Sequence, residues 1–235
     1  MSKGALSSIV LSVFFTTCVF AADIKSSFAP GEKITYAIKK MGMKAGTATL
    51  SFQGPAKIKG RDSVLIVFTA KALNFFDEEK IYVDAKSFYP LVVERNLNIF
   101  GKREKITEEY LTEKHLVKIS KEAGKQKSEQ KIEKRAILDN IYSFIFRYRQ
   151  SGQFKIGEVL QMHLPTKELK VKLDSTAKLK IAGNEYSTYY MTSDPSQYAM
   201  WFDTSFKKIP LRIDGAVGFG DTSMVMVKYE EGIEK

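Results

Sequence analysis

The residue types that most often carry enzymatic chemistry are sparse in this chain and are not spaced for catalysis. The two histidines, His115 and His163, lie far apart and lack the H-x-x-x-H spacing that places two imidazoles on one helix face. The G-x-S-x-G turn of a serine nucleophile is absent, as is the G-x-x-x-x-G-K-[ST] loop that cradles phosphate. We therefore predict that each histidine is an ordinary strand residue and not a metal ligand.

Neighbouring carboxylates occur at Glu78 with Glu79 and at Glu108 with Glu109, in segments that alternate like β-strands. Successive strand residues face opposite sides of a sheet, so neither pair can act as facing general acid and general base.

Two further patterns give no better support for catalysis. The glycine-rich run 215–220 opens no helix, so it favours a hairpin or bulge over a dinucleotide-binding loop. An enzyme would need distant carboxylates, such as Asp84, Asp203 and Asp214, to converge in one cleft. We predict that the protein is not an enzyme and uses no cofactor and no metal.

Aromatic residues offer binding chemistry instead, since the chain has 16 Phe, 11 Tyr and one Trp. In a curved antiparallel sheet such residues can line a cavity for an apolar ligand, or they can simply fill the core. The residues that we expect to line a ligand site are Tyr36, Phe68, Tyr82, Ile141, Phe144, Ile145, Tyr148 and Trp201.

One convincing helix must position half of these residues. Within the segment 135–152, apolar and aromatic side chains fill an arc of roughly 200° on a helical wheel, interrupted by Arg149. We predict a helix over about 138–150, with Asp139 as its N-cap and Gly152 just beyond its end. So wide an apolar arc indicates a helix that is covered on more than one side, as when it plugs a curved sheet.

The rest of the chain alternates with the period of two that is typical of strands, as in Ile34, Tyr36 and Ile38. The run Val64 to Ala72 is almost continuously apolar, which predicts a central strand covered on both faces. Strand and helix never alternate, which argues against a parallel α/β fold. We predict a mainly β protein, with one curved antiparallel sheet forming a half-barrel or barrel-like structure around the helix.

Two segments have both an ordinary and a functional or evolutionary interpretation. The polar segment Lys121 to Lys134 is expected to form a hairpin in solvent, and a basic arm that touches an anionic surface is the alternative. The segment 83–91 resembles 202–211, since each has an Asp, a turn and then Pro-Leu. We interpret this similarity as common hairpin chemistry rather than as a duplicated half.

The N-terminus has the features of a secretory signal peptide. Lys3 precedes an uncharged run that ends in small residues, and cleavage is expected after Ala21 or Ala22. Residues 1–21 are thus assigned to the signal and 22–235 to a single β-rich domain, whose halves 31–134 and 154–229 flank the helix. A retained membrane anchor and a lipoprotein acylated at Cys18 are the alternatives. Removal of Cys18 would leave a cysteine-free mature chain.

The charge balance points to partners in the cell envelope. The chain has 37 Lys and Arg against 27 Asp and Glu, a net charge of +10. This excess favours an anionic membrane surface as a partner, although a solvated lysine-rich sheet edge has the same composition. Aromatic residues among lysines also occur in single-strand nucleic-acid platforms, but the export signal argues against nucleic acid as a partner.

Several segments resemble a known family of exported bacterial proteins, the domain of unknown function 3108. The matching segments are 28–36, 44–48, 89–91, 138–144 with Tyr148 and Arg149, 201–203, 209–213 and 218–220. They occur in order over nearly the whole mature chain. The family more often has Asp-Pro-Leu-Ser at the helix start, where this chain has Asp139-Asn140-Ile141-Tyr142. The resemblance implies an exported, β-rich domain without an established activity.

We expect from these features a periplasmic, non-enzymatic binding or carrier module for an apolar or amphiphilic envelope molecule. The alternative is a structural or protein-interaction module of the envelope without a small ligand. The strand, Asp, turn, Pro pattern also resembles the open half-barrels of periplasmic lipoprotein carriers, a likeness at the level of fold alone.

Overall fold

The structure is a computed structural model that describes residues 27–151, 153–217 and 221–233 of the chain. The predicted signal peptide, Cys18, the helix-ending Gly152 and the segment 218–220 lie outside the described residues. Among the residues that are described, no helix has the length and apolar character needed to cross a membrane.

Within these ranges, fourteen strands form a single antiparallel sheet. In chain order the strands are β1 (Glu32–Lys40), β2 (Met43–Ile58), β3 (Arg61–Ala72), β4 (Phe75–Asp84), β5 (Pro90–Ile99), β6 (Lys102–Leu111), β7 (Leu116–Ala123), β8 (Gln126–Glu133), β9 (Val159–Leu164), β10 (Lys167–Ile181), β11 (Asn184–Asp194), β12 (Ala199–Asp203), β13 (Pro210–Asp214) and β14 (Thr222–Glu230). A short 3-10 helix, Thr112–Lys114, precedes β7. The α-helix, α1, spans Ile141–Ser151.

The sheet order explains why the helix lies at its centre. The strands run β8-β7-β6-β5-β4-β3-β2-β1-β14-β13-β12-β11-β10-β9, so the first and last strands pair and the open edges are β8 and β9. The chain must pass from one open edge to the other, and α1 forms this connection. The predicted fold class, a curved antiparallel half-barrel with one central helix, is confirmed.

The strand pattern follows from the alternation of side chains between the two faces. In β4, Phe75, Asp77, Glu79, Ile81 and Val83 are buried, and the residues between them are partly exposed. Strand β3 behaves in the same way, so the prediction of a strand covered on both faces was wrong. The helix covers one face of the sheet, and the apolar residues that point to the other face remain partly exposed.

The helix is buried on nearly all sides, as its wide apolar arc predicted. Tyr142 stacks on Phe68 of β3 with 4.1 Å between ring centroids, and Phe146 meets Phe28 edge to face at 4.9 Å. Near the helix end, Tyr148 packs on Phe154 at 4.4 Å. Since these contacts reach both halves of the sheet, α1 fills the concave side and joins the halves.

The predicted N-cap was wrong by one residue. The side-chain Oδ1 of Asn140 accepts bonds from the backbone N–H groups of Tyr142 at 2.9 Å and Ser143 at 3.3 Å, which makes Asn140 the cap. Asp139 instead forms an ion pair with Arg147 at 2.5 Å and accepts the backbone N–H of His163. Both residue types suit a cap, but the carboxylate of Asp139 is engaged by Arg147 of α1 and by His163 of β9.

The two turns that the sequence similarity singled out occupy corresponding places in the sheet. One connects β4 to β5 and the other β12 to β13, and each follows a shift in strand register, between Tyr82 and Val83 or between Trp201 and Phe202. The Asp84 carboxylate accepts the backbone N–H of Ser87, and the Asp203 carboxylate accepts the hydroxyl of Ser205.

A second pair of segments, Phe28 to Glu32 and Phe154 to Glu158, also corresponds. Both have the pattern Phe-x-x-Gly-Glu and both open a six-strand series, β1 to β6 or β9 to β14. The backbone N–H of each glycine donates to the second strand of its series, with 2.8 Å to Phe52 O and 2.8 Å to Leu173 O. Common hairpin chemistry does not account for this second correspondence, so the two series constitute an internal structural repeat.

Candidate ligand-binding cleft

Six of the eight predicted ligand-lining residues lie together inside the protein. Tyr36, Phe68, Ile141, Phe144, Ile145 and Tyr148 are all buried between the sheet and the helix. They pack on one another and on neighbouring core residues, and the Tyr36 hydroxyl donates to the backbone oxygen of Pro210 at 2.9 Å. Their arrangement is that of a filled core, and a ligand contact at these residues stays a prediction.

The other two predicted residues lie on the outer face of the sheet. Tyr82 is partly exposed there between two buried residues of β4. Trp201 packs against Tyr190 with 4.8 Å between ring centroids, and the guanidinium of Arg212 lies 4.6 Å from its ring centroid. Arg212 also forms a two-point ion pair with Asp214, with both N–O distances at 2.8 Å. The structure therefore does not bring Tyr82 and Trp201 to the core cluster.

An open cleft of about 1020 Å³ lies at the end of the sheet where β9 turns into β10, β11 into β12, and β13 into β14. The floor of the cleft is formed by Leu169, Tyr198 and Val217, which are buried and belong to the core. Tyr190 and Pro195 add accessible apolar surface, and Lys167 and Asp214 add charge to the walls. The remaining lining residues are Glu168, Thr192, Ser196, Gln197, Ala199, Gly215, Asp221, Thr222 and Ser223. A lining that mixes apolar and polar groups suits an amphiphilic molecule.

Local hydrogen bonds hold the loop between β11 and β12 in place at the cleft. The Ser193 hydroxyl accepts the backbone N–H groups of Gln197 at 3.1 Å and Tyr198 at 2.9 Å, and it donates to Pro195 O at 2.8 Å. The Lys167 ammonium donates to the Gln197 side-chain oxygen at 2.7 Å, which bridges two of the hairpins.

Gly215 allows the third hairpin to approach this loop. Its φ is +81°, and a Cβ placed on it would lie 1.9 Å from the backbone oxygen of Gln197. A side chain therefore cannot be accommodated without moving the cleft wall. On the inner side, the Tyr142 hydroxyl of the helix donates to Ala216 O at 3.3 Å, so the same loop is tied to the core cluster.

A buried polar cluster lies behind the cleft floor, on the inner face of β4 and β5. Arg95 pairs with Asp77, with Nε to Oδ1 at 2.8 Å, and its Nε is 3.4 Å from the Glu79 Oε1. The Asn140 side chain donates to Glu79 Oε2 at 3.3 Å. Asp77, Glu79 and Asn140 are all buried. One guanidinium thus pairs with two carboxylates, so the cluster contains fewer positive than negative groups.

Burial of this cluster alters proton affinities around the floor. Burial raises the pKa of the Glu79 carboxyl to about 7, and the positive charge of Arg95 limits the rise. Burial and then the charge of Glu79 raise the pKa of Tyr142 and the pKa of Tyr198, so both phenols stay protonated. The cluster therefore holds a carboxyl that titrates near neutral pH next to the cleft floor.

This cluster was not predicted from the sequence, because only carboxylates that are adjacent in the chain were compared. Glu78 and Glu79 do face opposite sides of β4, as expected, but Asp77 and Glu79 are two positions apart and share the inner face. An i, i+2 pair of acids on an otherwise apolar strand face is the signal that could have found them. The cleft residues had no such signal, because they come from three separate hairpins.

The carboxylates required by the enzymatic hypothesis are not brought together. Asp84 and Asp203 bind their own turns at one end of the sheet, and Asp214 lies at the opposite end, where β13 leaves the sheet. Among the described residues, no group of three or more His, Cys, Asp or Glu side chains could hold a metal ion.

The comparison with protein families gives one decisive result. The profile of the family described as "Protein of unknown function (DUF3108)" matches residues 33–227. The chain belongs to this family. The match confirms the resemblance seen in the sequence, and the family's description assigns no activity.

Comparisons with individual proteins support the fold alone. A crystal structure of a beta-barrel-like protein of the domain of unknown function DUF1849 from Brucella abortus is similar to this chain, with a TM-score of 0.50 and 9% identity. The match covers 87% of this chain and 98% of that one. No curated protein sequence matches the chain.

Proposed function

We propose that this DUF3108 protein is an exported, periplasmic and non-enzymatic carrier that holds an amphiphilic envelope molecule in the cleft between the β9–β10, β11–β12 and β13–β14 hairpins. The observation that carries the proposal is the mixed lining of this cleft, in which accessible apolar side chains such as Tyr190 and Pro195 lie beside polar and charged ones. An amphiphile needs both surfaces, one for its chain and one for its headgroup.

The filled core bears on where the ligand would bind. The core cluster around Phe68 and Tyr142 is already packed by its own side chains, so an apolar chain could enter there only by displacing the helix. The cleft requires no such displacement. We therefore place the ligand in the cleft, and we assign the six buried aromatic and aliphatic residues to stability.

Binding of a fluorescent fatty acid, cis-parinaric acid, tests the proposal directly. Ser196 is exposed and lines the cleft, so Ser196→Trp should fill part of it and weaken binding by about tenfold. Ser187→Trp is the matched control, because Ser187 is an exposed serine of β11 that does not line the cleft. Unchanged binding by Ser196→Trp, or equal loss in both variants, would contradict the assignment of the cleft.

The alternative function, a structural or protein-interaction module, is favoured by the same filled core. It predicts that the purified protein takes up no fatty acid and no envelope lipid. The binding measurement therefore separates the two functions, provided that the protein is stripped of bound lipid beforehand.

A further inference from the structure

Large apolar side chains are exposed at the tips of three hairpins in the first half of the sheet. Met41 is 87% exposed, Met43 72%, Leu73 87% and Phe100 73%. We call these four residues the apolar rim. Exposed apolar side chains are ordinarily scattered singly over a protein surface. The four residues of the apolar rim instead lie at the turns from β1 to β2, from β3 to β4 and from β5 to β6.

The three tips are neighbours at one end of the sheet. Strand β2 pairs with β3 through Gly46 and Ala72, and β4 pairs with β5 through Phe75 and Ile99. The backbone N–H of Phe100 donates to Asn74 O at 2.8 Å, which links the second tip to the third. The apolar rim therefore extends over three adjacent hairpins at one end of the sheet.

The turns themselves do not call for these side chains. Met41 and Phe100 have φ of 50°, and each is followed by a glycine that also has positive φ. Two-residue turns of this kind favour Asn-Gly, because bulky side chains are strained in the left-handed region. At the opposite end of the sheet, the same conformation at residues 59–60 is built with Lys59 and Gly60. A bulky apolar residue at such a position therefore needs a reason other than the turn.

The internal repeat provides a comparison within the same chain. The hairpins β9–β10 and β11–β12 of the second half correspond to the first two tips of the first half. Their tips carry Thr166 and Ser196, which are exposed and polar. These two hairpins are therefore made with polar tips, in contrast to the first two tips of the first half.

Within the three tip segments themselves, the charge has a single sign. The three tip segments 38–46, 70–76 and 97–103 contain Lys and Arg but no Asp or Glu. Their basic residues are all exposed, and they are Lys39, Lys40, Lys44, Lys71, Lys102 and Arg103. Exposed apolar side chains surrounded by cations match the two layers of an anionic membrane surface, namely acyl chains below and phosphate headgroups above.

We propose that the apolar rim docks this protein onto an anionic phospholipid bilayer, with Met41, Met43, Leu73 and Phe100 inserted among the acyl chains and the surrounding lysines on the phosphates. The cleft described above opens at the same end of the sheet, between the hairpins of the second half. Docking through the rim does not require that the cleft bind a ligand.

Flotation with lipid vesicles tests the proposal. Vesicles of phosphatidylcholine are compared with vesicles in which about a quarter of the lipid is phosphatidylglycerol. We expect the protein to float with the anionic vesicles and to be released as the ionic strength is raised. The triple variant Met41→Ser, Leu73→Ser, Phe100→Ser should bind at least about tenfold more weakly, because it retains the charge but loses the inserted side chains.

A matched variant controls for the general loss of surface hydrophobicity. Ile156, Val159 and Phe206 are also exposed apolar residues, but their segments lie at the opposite end of the sheet. The triple variant Ile156→Ser, Val159→Ser, Phe206→Ser should float like the unmodified protein. Both sets of residues are exposed, so both variants are expected to melt within a few degrees of the parent.

Three results would overturn the proposal. One is the absence of flotation of the unmodified protein with anionic vesicles. Another is an equal loss of binding in the two triple variants. The third is a dimer in sedimentation that is lost when the apolar rim is changed to serine, since the rim would then join two copies of the chain. If the protein binds no cis-parinaric acid but floats normally with anionic vesicles, the carrier function is contradicted and the docking surface remains supported.

Discussion

Arg149 and Glu32 form a two-point ion pair inside the core, with 2.6 Å from Nη1 to Oε1 and 2.9 Å from Nη2 to Oε2. Both side chains are almost completely buried. Arg149 belongs to the helix and Glu32 opens the first strand, so the pair attaches the end of α1 to the middle of the sheet. The pair receives further bonds, since the Tyr229 hydroxyl donates to Glu32 and Arg149 donates to Lys207 O.

Removal of the arginine should be strongly destabilising. Arg149→Met leaves the Glu32 carboxylate buried without its partner, and we expect the free energy of unfolding to fall by about 3–5 kcal/mol. Arg212→Met is the control, because its two-point pair with Asp214 is partly exposed and should be worth at most about 1 kcal/mol. Urea unfolding measures both, and a loss below about 1 kcal/mol in Arg149→Met would contradict this role.

The double variant Glu32→Leu, Arg149→Met separates burial of charge from loss of contact. Replacement of both members removes the unpaired carboxylate, so the double variant should be more stable than Arg149→Met alone. If it is the less stable of the two, the penalty in the single variant does not come from an unpaired charge.

The cap of the helix should contribute less to the free energy of unfolding than the ion pair between Arg149 and Glu32 does. Asn140→Ala removes the acceptor for two backbone N–H groups and should cost about 1–2 kcal/mol, because Asn140 also binds Glu79. Asn140→Ser retains a capping oxygen and should be intermediate in stability. Thermal unfolding of the three proteins at one pH checks the order, and equal stability of the alanine variant and the parent would show that another residue caps the helix.

The buried Glu79 should make stability depend on pH. Its pKa in the folded protein is raised to about 7, so the folded state holds its proton more tightly than the unfolded state does. Stability from this group is therefore full at low pH and is lost as the pH rises from about 4.5 to about 7, with a total loss of about 3 kcal/mol. Glu79→Gln does not titrate and should gain stability relative to the parent between about pH 5 and pH 8.

Glu78→Gln provides the control for this measurement, since it removes the same charge from the outer face of the same strand. The comparison uses the difference in unfolding free energy between each variant and the parent as a function of pH. An equal pH-dependent difference in both variants would show that the effect is not due to the buried site.

The sequence predicted those features that depend on local periodicity. Alternation identified the strands, and the wide apolar arc of Ile141 to Tyr148 predicted a helix covered by a curved sheet. Arg149 was visible as a charge within that arc, but its partner Glu32 is separated from it by most of the first half of the chain. Only the sheet order, in which β1 pairs with β14 at the centre, shows why the two residues meet.

The candidate cleft depends on tertiary structure more than the strands and the helix do. Tyr198, Leu169 and Val217 belong to three hairpins, and their proximity follows from the register of β9 to β14 and from the close approach at Gly215. Six of the eight residues predicted from the sequence, four aromatic and two aliphatic, lie instead on the inner strand faces and on the helix, which is where a filled core places them. Residue type indicated burial correctly for six of them, but type alone does not distinguish a core from a binding site.

Native mass spectrometry of the protein, purified gently from the envelope fraction of its own cells, tests the carrier function most directly. We predict a reproducible additional mass that is removed by organic extraction, returns when envelope lipids are supplied, and is much less abundant in Ser196→Trp than in Ser187→Trp. A bare protein mass in every preparation, even with lipids supplied, would contradict the carrier function and favour a module that acts through its outer surfaces.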